Sequence, residues 1–273
     1  MGALYLVATP IGNLEDITLR ALRVLKEVGL VAAEDTRTAR ILFRKYGIET
    51  PLISYHDYNK KARLPRLLEV LQGKDVALIS EAGMPGISDP GYELVVACVE
   101  RGIKVVPVPG ASAILTALAA SGLPTNSFLY LGFLPRKKGE RRRLLEMVAP
   151  LPHTLVFLEA PHRLSKGLDD LREVLGERRI AAGRELTKLH EEFFRGTVSQ
   201  ALEHFSQPRG EFTLIVEGAL QGKKELGPEV EAELVRLRQE GLRAKEAVAR
   251  LASKTGLPRR ELYQAWLGAK RAP

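Results

Sequence analysis

The chain of 273 residues is 45% hydrophobic and 27% charged, a balance that excludes wholesale disorder and a length that suits two domains. No apolar run approaches the roughly 18 residues of a membrane span, and a single cysteine, Cys98, excludes an intramolecular disulfide and any Cys-based metal cluster. The net charge of +8 is uneven: residues 136–143 (RKKGERRR) carry +5, residues 221–273 another +5, and the remainder is close to neutral at −2. Two basic clusters on a near-neutral body suggest a polyanionic partner, because Lys and Arg release the counterions of nucleic acid; a solvated surface that keeps the protein soluble would look the same. The N-terminus MGALYLVATPIGN has neither the basic start nor the unbroken apolar stretch of a signal peptide, and Leu6 stands where myristoylation needs Ser or Thr. A cytoplasmic protein is the expectation.

In chain order, ALYLVA (3–8) predicts a buried strand and 18–28 an amphipathic helix with Thr18 near its N-cap. The pattern repeats: strand-like 30–34 and helix-like 36–46, then 51–54 and 58–72, 75–80 and 91–101, 103–107 and 111–121. Strands alternating with helices predict a parallel sheet with right-handed crossovers, hence an N-terminal α/β domain over residues 1–122. GLPTNS (122–127) reads as a linker. Next come FLYLGFL, a basic helical stretch, TLVFLEA, helix 161–175, RIAAGREL, EEFFRGT, helix 197–205 and FTLIVEG. Strands here sometimes follow one another directly, which predicts a mixed sheet in a second α/β domain over 127–219. Residues 220–228 read as a polar linker. The tail 229–269 reads as helices, with a break at Thr255-Gly256-Leu257-Pro258 that resembles a helix-turn-helix. Its apolar positions Leu242, Ala247, Leu251, Leu257, Leu262 and Trp266 could close a small core of their own.

In an open parallel sheet, ligands bind beyond the carboxyl ends of the strands. Three unusual loops fall there. Thr9–Asn13 follows the first strand; Glu81–Gly91 follows the fourth, with five Gly or Pro among the nine residues from Gly83; Pro107–Ala113 opens a helix with small residues. Such loops leave backbone amides free for a ligand, and a helix N-terminus favours negative charge. Turns alone also call for Gly and Pro, but three on one edge argue for a site. Neither G-x-G-x-x-G after the first strand nor a P-loop is present; Glu34 and Asp35 occupy the place of a ribose-holding acid, without the glycine fingerprint that accompanies it. His56, His153, His162, His190 and His204 lack metal-binding spacing, so no metal is expected.

The runs VATPIGNLEDIT, AAEDTR, ISEAGMPGISDPG and VPVPGASAILTALAASGLP resemble the tetrapyrrole methylase superfamily. With LGFLPRKKGER, FLEAPHR and RELTKLHEEFFRGT following, the chain is similar, more narrowly, to the ribosomal RNA small-subunit methyltransferase I family. The resemblance spans about residues 4–219, and the tail is similar to that family's C-terminal extension. It implies methylation of the ribose 2′-hydroxyl of a decoding-centre cytidine in 16S rRNA, with S-adenosylmethionine as donor, 16S rRNA or the small ribosomal subunit as partner, and a homodimer. It implies a cofactor in the cleft between the two domains, against Pro10, Ile11, Gly83, Met84, Gly86, Ile87, Ser112 and Ala113, with Leu158, Phe212 and Thr213 walling the adenosine. One departure stands out: Gly83-Met84-Pro85 replaces the superfamily's usual Gly-Asp-Pro, so an acidic contact there is not carried over.

A ribose hydroxyl is nearly undissociated at neutral pH, so a general base or cations stabilising the developing alkoxide should help. The candidates are Asp35, Glu81, Glu159, His162, Arg163, Arg184 and Lys188, with Asp89 and Glu185 beside them. Each has a structural alternative: Asp89 could cap helix 91–101, Asp35 could open helix 36–46, Arg184 and Glu185 could pair, and His162 follows Pro161 at a helix start. The residues alone leave the base open. Phosphates would be held by Arg136, Lys137, Lys138, Arg141, Arg142, Arg143 and, in the tail, Arg259 and Arg260. Two rival readings remain: methylation of a tetrapyrrole by the same fold, and a nonenzymatic RNA-binding assembly factor.

Overall fold

The computed structural model describes residues 1–219, 227–255 and 257–268. Residues 220–226 of the expected linker, Gly256 at the expected break and the last residue of the expected 229–269 extension lie outside that set. The chain divides into two compact units, Met1–Gly218 and Ala219–Pro273.

The first unit opens with β1 (Leu4–Val7), α1 (Leu19–Glu27), β2 (Leu30–Ala33), α2 (Thr36–Tyr46), β3 (Leu52–Ser54) and α3 (Lys60–Val70). It continues through β4 (Val76–Ile79), α4 (Tyr92–Glu100), β5 (Val105–Val108) and α5 (Ala113–Ala120). Every pairing in this sheet is parallel and the order is β3-β2-β4-β1-β5. The strands read as short apolar runs because helices cover both faces, one over Val24, Leu25 and Phe43, the other over Leu67, Leu71 and Leu94. Thr18 and Asp35 cap α1 and α2 by accepting backbone N–H bonds.

The second sheet is built from β6 (Phe128–Phe133), β7 (Thr154–Glu159), β8 (Arg179–Arg184), β9 (Glu192–Thr197) and β10 (Phe212–Val216), with α6 (Lys138–Val148), α7 (Pro161–Leu175) and α8 (Val198–His204) between them. Its order is β6-β7-β10-β8-β9, parallel only at β6–β7 and antiparallel elsewhere. The two sheets share one compact unit because α5 packs through Ala117 and Leu118 onto Val156, Ala181 and Ile215 of the second sheet.

The second unit holds α9 (Pro228–Gln239), α10 (Ala244–Thr255) and α11 (Arg259–Gly268). Ala247, Leu251, Leu257, Leu262 and Trp266 are buried together with Leu234 and Leu237, and Leu242 packs against them partly buried. The guanidinium of Arg238 lies 5.6 Å from the centre of the Trp266 ring and donates to that residue's carbonyl. Arg259 and Arg260 are exposed at the start of α11.

Candidate active site

The carboxyl ends of β1, β4 and β5 meet the second sheet across a cleft of about 420 Å³, within the range of small-molecule sites. The loops after β1 and β4 are zipped together: the Thr9 and Gly83 amides each donate to the other's carbonyl, at 2.9 and 3.0 Å. Gly83 holds φ +78°, and a Cβ there would sit 3.6 Å from Ile11 and 3.7 Å from the Ala111 carbonyl, among all three loops. Across the cleft, the Asn13 amide donates to the Thr187 hydroxyl at 3.0 Å. Gly12 leaves no room for a side chain, since a Cβ would fall 2.5 Å from Lys188 Cγ.

Three residues other than glycine hold a positive φ among the described residues: Ser88 (64°), Glu185 (50°) and Thr187 (67°). Ser88 and Glu185 line the cleft, and Thr187 stands between lining residues Leu186 and Lys188. Each such backbone costs about 1–3 kcal/mol and persists only where its surroundings over-determine it. Here Ser88 Oγ lies 2.7 Å from the Tyr130 hydroxyl on β6, and the Thr187 amide donates to Glu191 at 2.6 Å.

Of the expected cofactor residues, Ile11, Gly83, Met84, Ile87, Ser112, Ala113, Leu158, Phe212 and Thr213 line the cleft. Pro10 and Gly86 do not. Pro10 is buried within the loop after β1; Gly86 is exposed, and its φ of +82° marks a turn requirement rather than a close approach.

The expected catalytic set divides in the same way. Glu81, Glu159 and Lys188 line the cleft. Glu159 is 1% exposed; burial pushes its carboxyl up, against the Ala160 amide and the Arg163 guanidinium, which lies 3.2 Å away. Arg163 is committed to that ion pair and to the Leu134 carbonyl. The Lys188 ammonium is partly buried, which opposes its charge, but Glu185 and Glu211, each at 3.0 Å, outweigh that and raise its pKa. Asp35, His162 and Arg184 are outside the lining. Asp35 caps α2 and is held down to about 2 by the Arg37 side chain. His162 is exposed at the start of α7. Arg184 pairs with Glu192 at 2.8 Å rather than with Glu185.

Sequence reasoning missed Glu211, Tyr130 and Phe133. Tyr130 was legible in principle as the one hydroxyl within the apolar strand FLYLGFL; Glu211 carries no local signal. Asp89 is not the cap of α4: that position is Gly91, which makes no side-chain cap bond, and Asp89 lines the cleft instead. Burial and the Glu34 charge push its carboxyl up to about 6. Glu34 is itself raised by burial and by the charges of Glu81 and Asp57, against the Glu81 amide that bonds it.

The basic segment needs one firm correction. Arg141 is 6% exposed, with its guanidinium 2.5 Å from Asp170, itself 2% exposed, and bonded to the carbonyls of Pro135 and Arg136. It faces inward because its position on α6 abuts α7, and its burial and these bonds take it out of the phosphate-binding set. Arg142 pairs with Glu173 at 2.9 Å. Arg136, Lys137, Lys138 and Arg143 are exposed, and the segment starts three residues beyond Phe133, which lines the cleft and is 52% exposed.

Six acids (Glu34, Glu81, Asp89, Glu159, Glu185, Glu211) and one base (Lys188) line the cleft. Such an interior suits a small cation with an apolar body better than a polyanion.

A family model described as tetrapyrrole (corrin/porphyrin) methylases matches residues 3–202. Among solved structures, uroporphyrin-III C-methyltransferase from Thermus thermophilus is similar at TM-score 0.58 and 26% identity, covering 80% of this chain and 94% of its own. The methyltransferase CobJ superposes at TM-score 0.62 and 22% identity, over 80% of this chain and 95% of its own, which speaks for the fold alone. Fold and cleft thus define the class, a methyltransferase of the tetrapyrrole methylase fold. A model described as the RsmI C-terminal HTH domain also matches residues 224–270. Proteins named ribosomal RNA small subunit methyltransferase I are 50% identical in Halalkalibacterium halodurans (96% of this chain, 93% of theirs) and 48% identical in Pseudomonas aeruginosa (96% of each). The chain belongs to the ribosomal RNA small subunit methyltransferase I family.

Proposed function

We propose that this enzyme methylates the ribose 2′-hydroxyl of a decoding-centre cytidine in 16S rRNA, with S-adenosylmethionine as donor. The observation that carries the reading is the acidic cleft of about 420 Å³, which suits a cationic sulfonium; the exposed Arg136, Lys137 and Lys138 that follow the cleft-lining Phe133 in the chain suit phosphates. The residues present fit the donor. Apolar Ile11, Leu158 and Phe212 can sandwich an adenosine, and the zipped Thr9–Gly83 loops present backbone close to the cleft. A uroporphyrin-III C-methyltransferase from Thermus thermophilus, similar at TM-score 0.57 and 23% identity, has been solved with S-adenosylhomocysteine. When bound, the donor supplies an electrophilic methyl group that leaves a neutral thioether behind, so no acid is required.

The protein's work is alignment and proton removal. Ile11, Gly83, Met84, Ile87, Ser112, Ala113, Leu158, Phe212 and Thr213 hold the donor in this proposal; Arg136, Lys137, Lys138 and Arg143 hold backbone phosphates, with Arg259 and Arg260 of the C-terminal unit adding to RNA affinity. The acidic lining also weighs against a carboxylate-rich tetrapyrrole as acceptor, which six carboxylates would repel. Among the described residues no helix is long and apolar enough to cross a membrane. The proposal places the enzyme in the cytoplasm as a homodimer acting on 16S rRNA or the assembled small subunit. Mass mapping of 16S rRNA ribose methylation in cells with and without the gene tests it. Loss of a methyl group from one decoding-centre cytidine is expected, and an unchanged map would overturn the assignment.

A further inference from the structure

Six carboxylates line the cleft, yet most are already engaged. Glu159 receives Arg163 and the Ala160 amide. Glu185 receives Lys188 and the Glu211 amide, and Glu211 shares the same lysine. Glu34 accepts from the Glu81 amide at 3.4 Å, and Glu81 is exposed to solvent. Asp89 is partly buried and in no ion pair among the described residues, and α4 does not use it as a cap. The groups facing it are Glu34, Glu81 and Asp57, all of which disfavour its charge, and the Ser80 hydroxyl, which favours it while donating to the Ala82 carbonyl at 3.3 Å. The Tyr130 hydroxyl, on the facing strand, binds the neighbouring Ser88.

The backbone around Asp89 is unusually constrained. Ser88 holds φ 64°, pinned through its hydroxyl to Tyr130 from the opposite sheet, and Pro90 follows. Gly91 next to it sits at φ +149°, and a Cβ there would fall 2.8 Å from Leu78. A strained loop clamped from across the cleft, with a carboxylate at its tip, is the kind of preorganisation that functional sites maintain.

We propose that Asp89 is the general base of the methyl transfer, taking the proton from the ribose 2′-hydroxyl as that oxygen attacks the methyl carbon. The inference rests on the reading of the function given above. The O–H bond breaks towards Asp89 and its electron pair forms the O–CH₃ bond. The C–S bond breaks with its pair going to sulfur, leaving a 2′-O-methyl ribose, a neutral thioether and a protonated Asp89 that returns its proton to solvent. With its pKa raised to about 6, the carboxyl is mostly ionised at neutral pH and still basic enough to accept a proton, which is the compromise general bases favour. Tyr130 serves as a positioning residue for the loop.

The experiment compares full-length wild type, Asp89→Asn and Asp89→Glu in single-turnover methylation of small ribosomal subunits across about pH 5 to 9, with S-adenosylmethionine affinity measured separately by calorimetry. Asp89→Asn should slow the chemical step by about 10²–10⁴-fold and abolish the rise in rate near pH 6, with donor affinity changed by less than about threefold. Asp89→Glu should recover part of the rate with a displaced inflection. Near-wild-type turnover in Asp89→Asn would overturn the assignment. Equal losses in both variants with the wild-type pH profile would make the role structural, and more than about a tenfold loss of donor affinity would make Asp89 a cofactor ligand; either overturns it. A wild-type enzyme that leaves ribose unmethylated overturns the function itself, an outcome visible without any variant.

Discussion

Replacing Arg141 with Ala separates two meanings of the same charge run. Arg141 lies inside RKKGERRR, but it is 6% exposed and makes two short contacts to Asp170, Nη2 at 2.5 Å and Nε at 2.7 Å. Its Nη1 also donates to the carbonyls of Pro135 at 3.0 Å and Arg136 at 3.2 Å, closing the loop between β6 and α6. Truncation leaves Asp170, 2% exposed, with the Lys138 ammonium at 4.0 Å as its nearest remaining cation. Breaking one side of a buried pair costs about 3–5 kcal/mol, chiefly because the surviving charge stays desolvated. For a unit of this size each kcal/mol moves Tm by roughly 2–4 °C, so a drop of about 6–20 °C is expected. Arg143→Ala, on an exposed position of the same helix, should stay within about 0.5 kcal/mol of wild type. The protein's one tryptophan, Trp266, lies in the C-terminal unit, so unfolding of the first unit is best followed by far-UV circular dichroism. RNA affinity is titrated against salt in parallel. An Arg141→Ala protein melting within about 2 °C of wild type, with a shallower salt dependence, would refute the inward assignment and return Arg141 to the phosphate-binding set.

Replacing Arg136, Lys137, Lys138 and Arg143 together with Ala should lower the slope of log affinity against log salt by up to about 3, near 0.7 for each phosphate contact to single-stranded RNA, with calorimetric S-adenosylmethionine affinity preserved. Gly83→Val forces a branched residue into φ +78° beside Ile11 and Ala111 and should weaken donor binding more than about tenfold, or 1.4 kcal/mol; unchanged affinity in a folded variant would remove this loop from the donor site. The raised pKa of Asp89, about 6 against an ordinary 3.8, means that the folded state prefers its neutral form. The resulting stabilisation is complete below about pH 4 and is lost as pH rises through 6. Asp89→Asn, neutral throughout, should therefore be more stable than wild type by about 1–3 kcal/mol at pH 8, and the advantage should vanish near pH 4 in urea melts.

Much of the architecture was legible because it rests on local periodicity. The alternation of short apolar strands with amphipathic helices predicted the parallel sheet, and the Gly- and Pro-rich loops after the first, fourth and fifth strands marked the edge where the cleft opens. Leu242, Ala247, Leu251, Leu257, Leu262 and Trp266 announced the helical unit at the end of the chain, since helical spacing alone puts them on one side. Direction was not legible. Whether Arg141 faces solvent or Asp170 depends on how α6 lies against α7; whether Asp89 caps α4 or lines the cleft depends on how its loop, bonded through Ser88 to Tyr130 of β6 far away in sequence, is held. Pro10 and Gly86 sit in loops that reach the cleft and still miss its lining, because a loop's composition does not say which of its residues turn inward. Neighbouring residues determine propensity and period. Burial, pairing and pKa are set by groups that only the folded chain brings within a few ångströms.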